Sequence, residues 1–390
     1  MPSAADSLDA PTSPYSQWPA APWRRIVIKI GTSSLTNETG RIEAAKFRAI
    51  AAGAQALAVA NAVNQVPAKV VLVSSGAGAA GRERLGLRLP LTLPQKQAAA
   101  AVGQTLLMHE WSEALAPDAA AQILLSAGDV QARRRYVNAK NALEASLAVG
   151  AIPVVNENDS VATEEIKVGD NDTLSAWVSY LIGADVLIIL TDVDGLYDAD
   201  PHLESAARHI AVVDDIGSVR DLGANGRSAT SGGLGTGGIA TKLSAAKIAA
   251  DAGIATIVLG GGGAGLLELA AGAQRGTLFV AGKQRPTRKA WIGNQPRRGT
   301  IEVDLGAARA LRDGRSLLPR GVVSVAGEFG FGDALAVCHE GRTVAVGLSN
   351  YTSSEMALIK GRHSSEIAAV LGAEHYDEAI HRDNLLLVPG

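Results

Sequence analysis

Six short apolar runs, each rich in Val, Ile or Leu, recur along the first two thirds of the chain and narrow the possible folds more than any other feature. They are "RRIVIKI" (24–30), "KVVLVSS" (69–75), "AQILLS" (121–126), "AIPVVN" (151–156), "DVLIILT" (185–191) and "ATIVLG" (255–260). Continuous runs of this kind suit strands buried on both faces. Between them lie Ala-rich segments, 43–65, 95–116, 136–149, 172–183 and 239–252, long enough to be helices. The alternation predicts an α/β domain, a mostly parallel central sheet covered by helices on both faces in a three-layer αβα sandwich. Strand order is not legible from periodicity. Ligands of such sheets gather at the carboxyl ends of the strands.

At 390 residues the chain is long for one domain, and its texture changes near residue 280. "KQRPTRKAWIGNQPRR" (283–298) has six basic residues, two prolines and no acid, which reads as a linker. The short runs "TIEV", "GVVSVAG", "LAVCHE" and "TVAVGLS" follow, and "EGR" between the last two reads as a hairpin turn. The expected division is therefore a leading tail over 1–22, a large domain over 23–282, the linker, and a small, mainly β domain over 299–384. The tail, rich in Pro, Ser and Ala, has neither Lys, Arg nor an apolar core, so it reads as neither a signal peptide nor a transit peptide. Only one cysteine is present, Cys338, which excludes an internal disulfide framework and a multi-Cys zinc site and suits a reducing, cytoplasmic compartment. The net charge of −3 offers no general attraction to nucleic acid or anionic membrane.

Each run in the large domain leads into small or polar residues. The first gives Lys29, Gly31, Thr32, Ser33 and Ser34; the second gives Ser74, Ser75, Gly76, Gly78 and Gly81. "NEND" (156–159) follows the fourth, "TDVDGLYDADP" (191–201) ends the fifth, and "GLGTGGIATK" (233–242) opens a helix. Glycines let backbone N–H groups approach an anion, and a helix N-terminus adds partial positive charge. With the ammonium groups of Lys29 and Lys242 this is a phosphate-binding inventory drawn from separate loops. Each piece also has a plain structural reading: glycines as turns, Asp192 and Asp194 as turn formers, Asp170 and Asp172 as helix caps, Lys242 as a solvated helix residue. Lys29 resists that reading, because it interrupts an apolar run where a buried ammonium is costly without a partner.

"GAGAAG" (76–81) matches the dinucleotide fingerprint G-x-G-x-x-G. That fingerprint wants an acid about 20 residues on, and none lies between Glu83 and Glu110. No G-x-x-x-x-G-K-[ST] occurs, and His109, His202 and His209 lack metal-ligand spacing. Eight Lys and Arg against twelve Asp and Glu over 299–390 make a poor surface for RNA phosphates.

With these loops in hand, the chain from about 24 to 384 resembles the glutamate 5-kinases of the amino acid kinase family. "VIKIGTSSLT", "VLVSSGAGAAGRERLG", "QKQAAAAVGQ", "VNAKNAL", "IPVVNENDSVATEEIKVGDND", "LTDVDGLYDADP" and "GTGGIATKL" carry the resemblance in order and spacing. The "NEND…VGDND" pair is its specific part, and the small C-terminal domain over 299–384 is similar to the PUA domain of many bacterial members. Gly78 departs from the pattern, which often has a larger aliphatic residue there. The resemblance implies the amino acid kinase fold and phosphorylation of L-glutamate on its γ-carboxylate by ATP with Mg²⁺. It implies ATP contacts at Lys29, Gly31, Thr32, Thr191, Asp192, Thr236, Gly237, Gly238, Ile239, Ala240, Thr241 and Lys242. It implies glutamate contacts at Ser75, Gly76, Asp159 and Asn171, with Asp172 organising the catalytic lysines 29 and 242. It further implies feedback inhibition by L-proline, a homo-oligomer (tetramer or dimer), and cooperation with glutamyl phosphate reductase.

Overall fold

The structure, a computed structural model, describes residues 15, 17–126, 129, 133–161, 171–199, 204–219, 238–282, 292–293, 295–372 and 376–388. Two compact units divide the chain: Met1–Ser126 with Asn141–Gly282, and Ala127–Lys140 with Lys283–Gly390. Among the described residues no helix is long and apolar enough to cross a membrane.

The first unit is built on β1 (Arg25–Ile30), β2 (Lys69–Ser74), β3 (Ala120–Leu125), β4 (Ile152–Glu157), β5 (Val186–Leu190), β6 (Leu196–Tyr197), β7 (His209–Ile210), β8 (Val212–Val213), β9 (Ala255–Leu259) and β10 (Thr277–Phe279). The main sheet has the order β3-β4-β2-β1-β5-β9-β10-β8 and is parallel except where β10 pairs with β9. The helices are α1 (Ala44–Ala60), α2 (Ala77–Arg84), α3 (Leu93–Leu115), α4 (Arg133–Ala148), whose residues through Lys140 fall in the second unit, α5 (Asn171–Ile182), α6 (Ile239–Asp251) and α7 (Gly262–Ala270). All six expected strands form; the apolar runs of β1, β2, β4, β5 and β9 are buried from both sides, whereas β3, at the sheet edge, keeps Gln122 and Leu124 exposed. At the head of β1, the Asp185 carboxylate accepts the backbone N–H groups of Arg24 and Arg25 at 2.6 and 2.9 Å.

Side chains alternate across the sheet. Ile26, Ile28 and Ile30 join Phe47, Leu57, Leu107, Trp111 and Leu266 in one core, under α1, α3 and α7. Val27 and Lys29 therefore face the other side, where α5 and α6 pack. The leading segment contributes as well: Tyr15 donates to the Gly276 carbonyl at 2.9 Å, Gln17 to Asp214 at 2.7 Å, and Trp18 packs against that core.

Two glycines set how α2 meets α3. A Cβ on Gly103 would lie 1.7 Å from the Ala77 carbonyl oxygen, and one on Gly81 would lie 1.7 Å from that of Ala99. The backbones touch there, so Gly103→Ala must push the helices apart. Overpacking of this kind costs roughly 1–3 kcal/mol. The expected result is a lower urea midpoint in a circular-dichroism titration of Gly103→Ala, and an unchanged midpoint would mean the helices do not close on these glycines.

The second unit forms a sheet of order β12-β11-β13-β14-β15, from β11 (Gly299–Val303), β12 (Val322–Gly327), β13 (Ala334–His339), β14 (Arg342–Leu348) and β15 (Leu385–Leu387). The expected hairpin is present: Glu340 and Gly341 link β13 to β14 with φ of 50° and 73°, the two left-handed residues of a type I′ turn. Helices α8 (Leu305–Arg312), α9 (Ser353–Ile359) and α10 (Ile367–Leu371) cover a core that includes Ile301, Leu335, Val337 and Met356.

Candidate active site

Parallel register brings the polar strand ends to one edge of the first unit's sheet. Lys29 on β1 pairs in register with Val73 of β2 and Ile189 of β5, and Val155 of β4 aligns with Val73. The next residues of these strands, Ser74 and Asn156, and Thr191 after β5, consequently emerge together. Beyond Ser75 the chain turns sharply into α2 through Gly76, whose φ of +105° disfavours any side chain.

The most concentrated chemistry is a buried cluster on the α5–α6 face. Lys29 Nζ lies 2.5 Å from Asp172 Oδ1, and Lys242 Nζ lies 3.4 Å from Asp172 Oδ2. Thr241 donates its hydroxyl hydrogen to Asp172 Oδ2 at 2.8 Å. Asp172 is fully buried, and Lys29 and Lys242 are 4% and 7% exposed. Burial pushes the Asp172 carboxyl up, but Lys29 and then Lys242, with hydrogen bonds from Lys29 and Thr241, outweigh it and bring it down to about 2. These three groups carry one excess positive charge, which a desolvated anion would neutralise. Lys242 stands in the first turn of α6, so the N-terminal end of that helix adds to the same field.

Beside the cluster runs a chain of amides. Asn171 Nδ2 donates to Ser75 Oγ at 2.8 Å and to Asn156 Oδ1 at 3.1 Å. Asn156 Nδ2 donates to Gln104 Oε1 at 2.7 Å. Beneath it, Trp111 Nε1 holds Ser74 Oγ at 2.9 Å. A cavity of about 390 Å³ opens between α3 and the end of β4, lined by Ala77, Gln104, Thr105, Glu157, Asn158 and Asp159 among others. That volume suits a small polar metabolite.

The structure thus brings Lys29, Lys242, Asp172 and Thr241 into one cluster, and Ser75 and Asn171 into the neighbouring network, with Asp159 on the cavity wall. Asp172 sits inside α5 with its carboxylate on the lysines, so the capping reading of this residue gives way to an ion-pair role. Gly31 adjoins the cluster, its Cβ direction passing 3.8 Å from Lys29 Nζ, and the Thr32 carbonyl accepts from Leu35 and Thr36. Thr191 bonds through its N–H to the Leu259 carbonyl at 2.9 Å, while Asp192 is exposed. Gly238 precedes α6, Ile239 is buried and Ala240 exposed. Thr236, Gly237 and Asp170 lie outside the described residues. Gly78 faces open space, so a larger residue would fit there.

Two features were not read from the sequence. Gln104 had a signal: it shares a helical face with Ala100, Leu107 and Trp111, and an amide in a buried stripe asks for a partner. Asp194, read as a turn former, accepts from the Gly260 N–H at 3.2 Å and pairs with Arg275 at 2.8 Å, tying the loop after β5 to the segments on either side of α7. Those partners are remote in sequence and leave no local trace.

Two buried ammonium groups at the carboxyl edge of a parallel sheet can neutralise charge on a transferring phosphoryl group. The model of the amino acid kinase family matches residues 24–260, and that of the PUA domain matches residues 299–371. The curated glutamate 5-kinase of Carboxydothermus hydrogenoformans is 47% identical over 372 residues, covering 94% of this chain and 98% of that protein. The glutamate 5-kinase of Thermus thermophilus is 47% identical over 371 residues, covering 93% and 97%. The chain belongs to the glutamate 5-kinase branch of the amino acid kinase family.

Proposed function

We propose that this chain transfers the terminal phosphoryl group of ATP to the γ-carboxylate of L-glutamate, giving L-glutamyl 5-phosphate and ADP, the first step of proline biosynthesis. The observation that carries the reading is the pair of buried lysines held on Asp172 at 2.5 and 3.4 Å. A γ-carboxylate is already ionised at neutral pH, so it attacks phosphorus without a general base. What the reaction needs is alignment and cancellation of negative charge on the nucleophile, the transferring group and the leaving ADP. Lys29 and Lys242 supply that charge, Asp172 fixes their separation, and backbone N–H groups near Gly31, Gly76 and Gly237 complete the cradle.

Mg²⁺ fits as an ion carried by the phosphates, because the Asp172 carboxylate is engaged by both lysines and Thr241. When bound it supplies further charge neutralisation on the phosphate oxygens. At the other end of the substrate, Asp159 suits the ammonium group, and Ser75 and Asn171 suit its neutral polar atoms. The remaining implications of the resemblance belong to the same reading: proline inhibition at the glutamate site, a homo-oligomer, a cytoplasmic location and a reductase that consumes the labile acyl phosphate.

The test is ADP release with a panel of carboxylates, glutamate against aspartate and acetylglutamate, each with and without proline. Release that depends on glutamate and falls with proline supports the reading; release with aspartate or acetylglutamate in its place refutes it. Asp159→Ala is expected to raise the glutamate KM about tenfold or more with ATP affinity little changed, as for loss of a charged partner. An unchanged glutamate KM would remove Asp159 from the ammonium site.

A further inference from the structure

We propose that Gln104 is a substrate-specificity residue, donating from Nε2 to the α-carboxylate of the amino-acid substrate in the cavity beside Asp159. The inference rests on the proposed glutamate reaction and deepens it. It starts from one unambiguous donor. The backbone N–H of Glu157 points at Asn156 Oδ1 at 2.9 Å, and a backbone nitrogen only donates. The Asn156 amide is therefore fixed, with its oxygen on Glu157 and its Nδ2 on Gln104 Oε1 at 2.7 Å.

That contact fixes Gln104 in turn, with Oε1 engaged and Nε2 left over. Among the described residues this nitrogen is buried and has no hydrogen-bond partner. The relay also runs the other way: Asn171 gives its Nδ2 to Asn156 and Ser75, and its Oδ1 is buried without a partner among the described residues. Native structures keep few such groups, and a ligand is one of the things that satisfies them. The amide chain thus presents one unused donor and one unused acceptor.

The direction of the substrate decides which group each serves. The γ-carboxylate has to meet the lysines at Asp172, next to Asn171 in the chain. The amino-acid end then falls in the cavity with Asp159 and Glu157, whose carboxylates would repel an α-carboxylate on their own. Gln104 lines that cavity as an oriented, uncharged donor, so it admits the carboxylate while Asp159 takes the ammonium.

Two variants separate this role from simple support of Asn156. Gln104→Glu keeps the side-chain volume and an oxygen for Asn156 Nδ2, but sets an acceptor-only carboxylate where the donor was. Gln104→Leu removes both contacts. Steady-state ADP release is measured with glutamate and with its α-amide, whose γ-carboxylate is intact. The expected result for Gln104→Glu is a glutamate KM raised about tenfold or more, an ATP KM within about twofold of wild type, and a glutamate-over-α-amide preference in kcat/KM reduced about tenfold or more. Gln104→Leu is expected to lose glutamate affinity with less change in that preference. If Gln104→Glu behaves like wild type while Gln104→Leu fails, Gln104 only props Asn156 and the proposal is overturned. Should Gln104→Leu not fold, Gln104→Glu decides alone, with its ATP KM as the control for folding. A wild-type chain without glutamate-dependent release would overturn the proposed function itself, and this inference with it.

Discussion

Lys242→Ala is expected to lower kcat roughly 10²-fold or more, as for loss of a preorganised group that stabilises the transition state, while the chain stays folded. Lys29→Ala is expected to do the same. The reasoning is electrostatic. Each ammonium is buried and aimed by Asp172, so it meets developing charge in a site where water cannot substitute for it. Folding survives because either single variant leaves Asp172 with the other lysine, at 3.4 Å for Lys242 or 2.5 Å for Lys29. The discriminating measurement is kcat at saturating ATP and glutamate, beside the thermal midpoint of each variant. Normal turnover in either would remove the charge-flanking mechanism. A loss confined to ATP KM, with kcat kept, would reduce that lysine to a ground-state anchor.

The sheet was the most legible part of the chain, for a reason visible in β5, where "VLIIL" is buried at every position. A strand covered on both faces shows as an unbroken apolar run whatever its place in the order. That order depended on long-range pairings such as β1 with β5, which no local pattern reveals. Glycine-rich segments were harder to read. In "GAGAAG" the first glycine makes the turn into α2, and the last lies against the Ala99 carbonyl, so a turn and a helix contact account for two positions of the dinucleotide match. Helix α7 was hidden because it opens on glycines, and Gly263 is there to let the helix approach Ala49 of α1, where a Cβ would come within 2.3 Å. At the candidate site, Lys29 was legible as a charge out of place in an apolar strand. Its partner was reached only through the family resemblance, since Asp172 by itself looks like any acid at a helix start until the fold sets it beside β1. The amide relay through Asn156 and Gln104 was illegible too, since its members come from three separate elements.

Asp172→Asn is expected to have the larger effect on stability, because it removes the carboxylate that both lysines share and leaves two ammonium groups buried side by side. Breaking a buried pair by deleting one partner typically costs about 3–5 kcal/mol. Here the repulsion between Lys29 and Lys242 adds to that cost, so the unfolding free energy of the first unit is expected to fall by at least this much, with kcat falling too as the lysines lose their spacing. The carboxyl also fixes a pH dependence. It titrates at about 2 in the folded chain against 3.8 for the ordinary group, so its stabilising contribution is complete above about pH 4 and is lost as pH falls through about 2. A shift of that size is worth about 2 kcal/mol of stability. Urea titrations of wild type and Asp172→Asn from pH 5 down to pH 2 should therefore converge by about that amount as the acid is protonated. A gap between the two curves that stays constant through the whole range would mean that Asp172 is not held ionised by the lysines, and the buried positive cluster on which the phosphoryl-transfer reading stands would lose its physical basis.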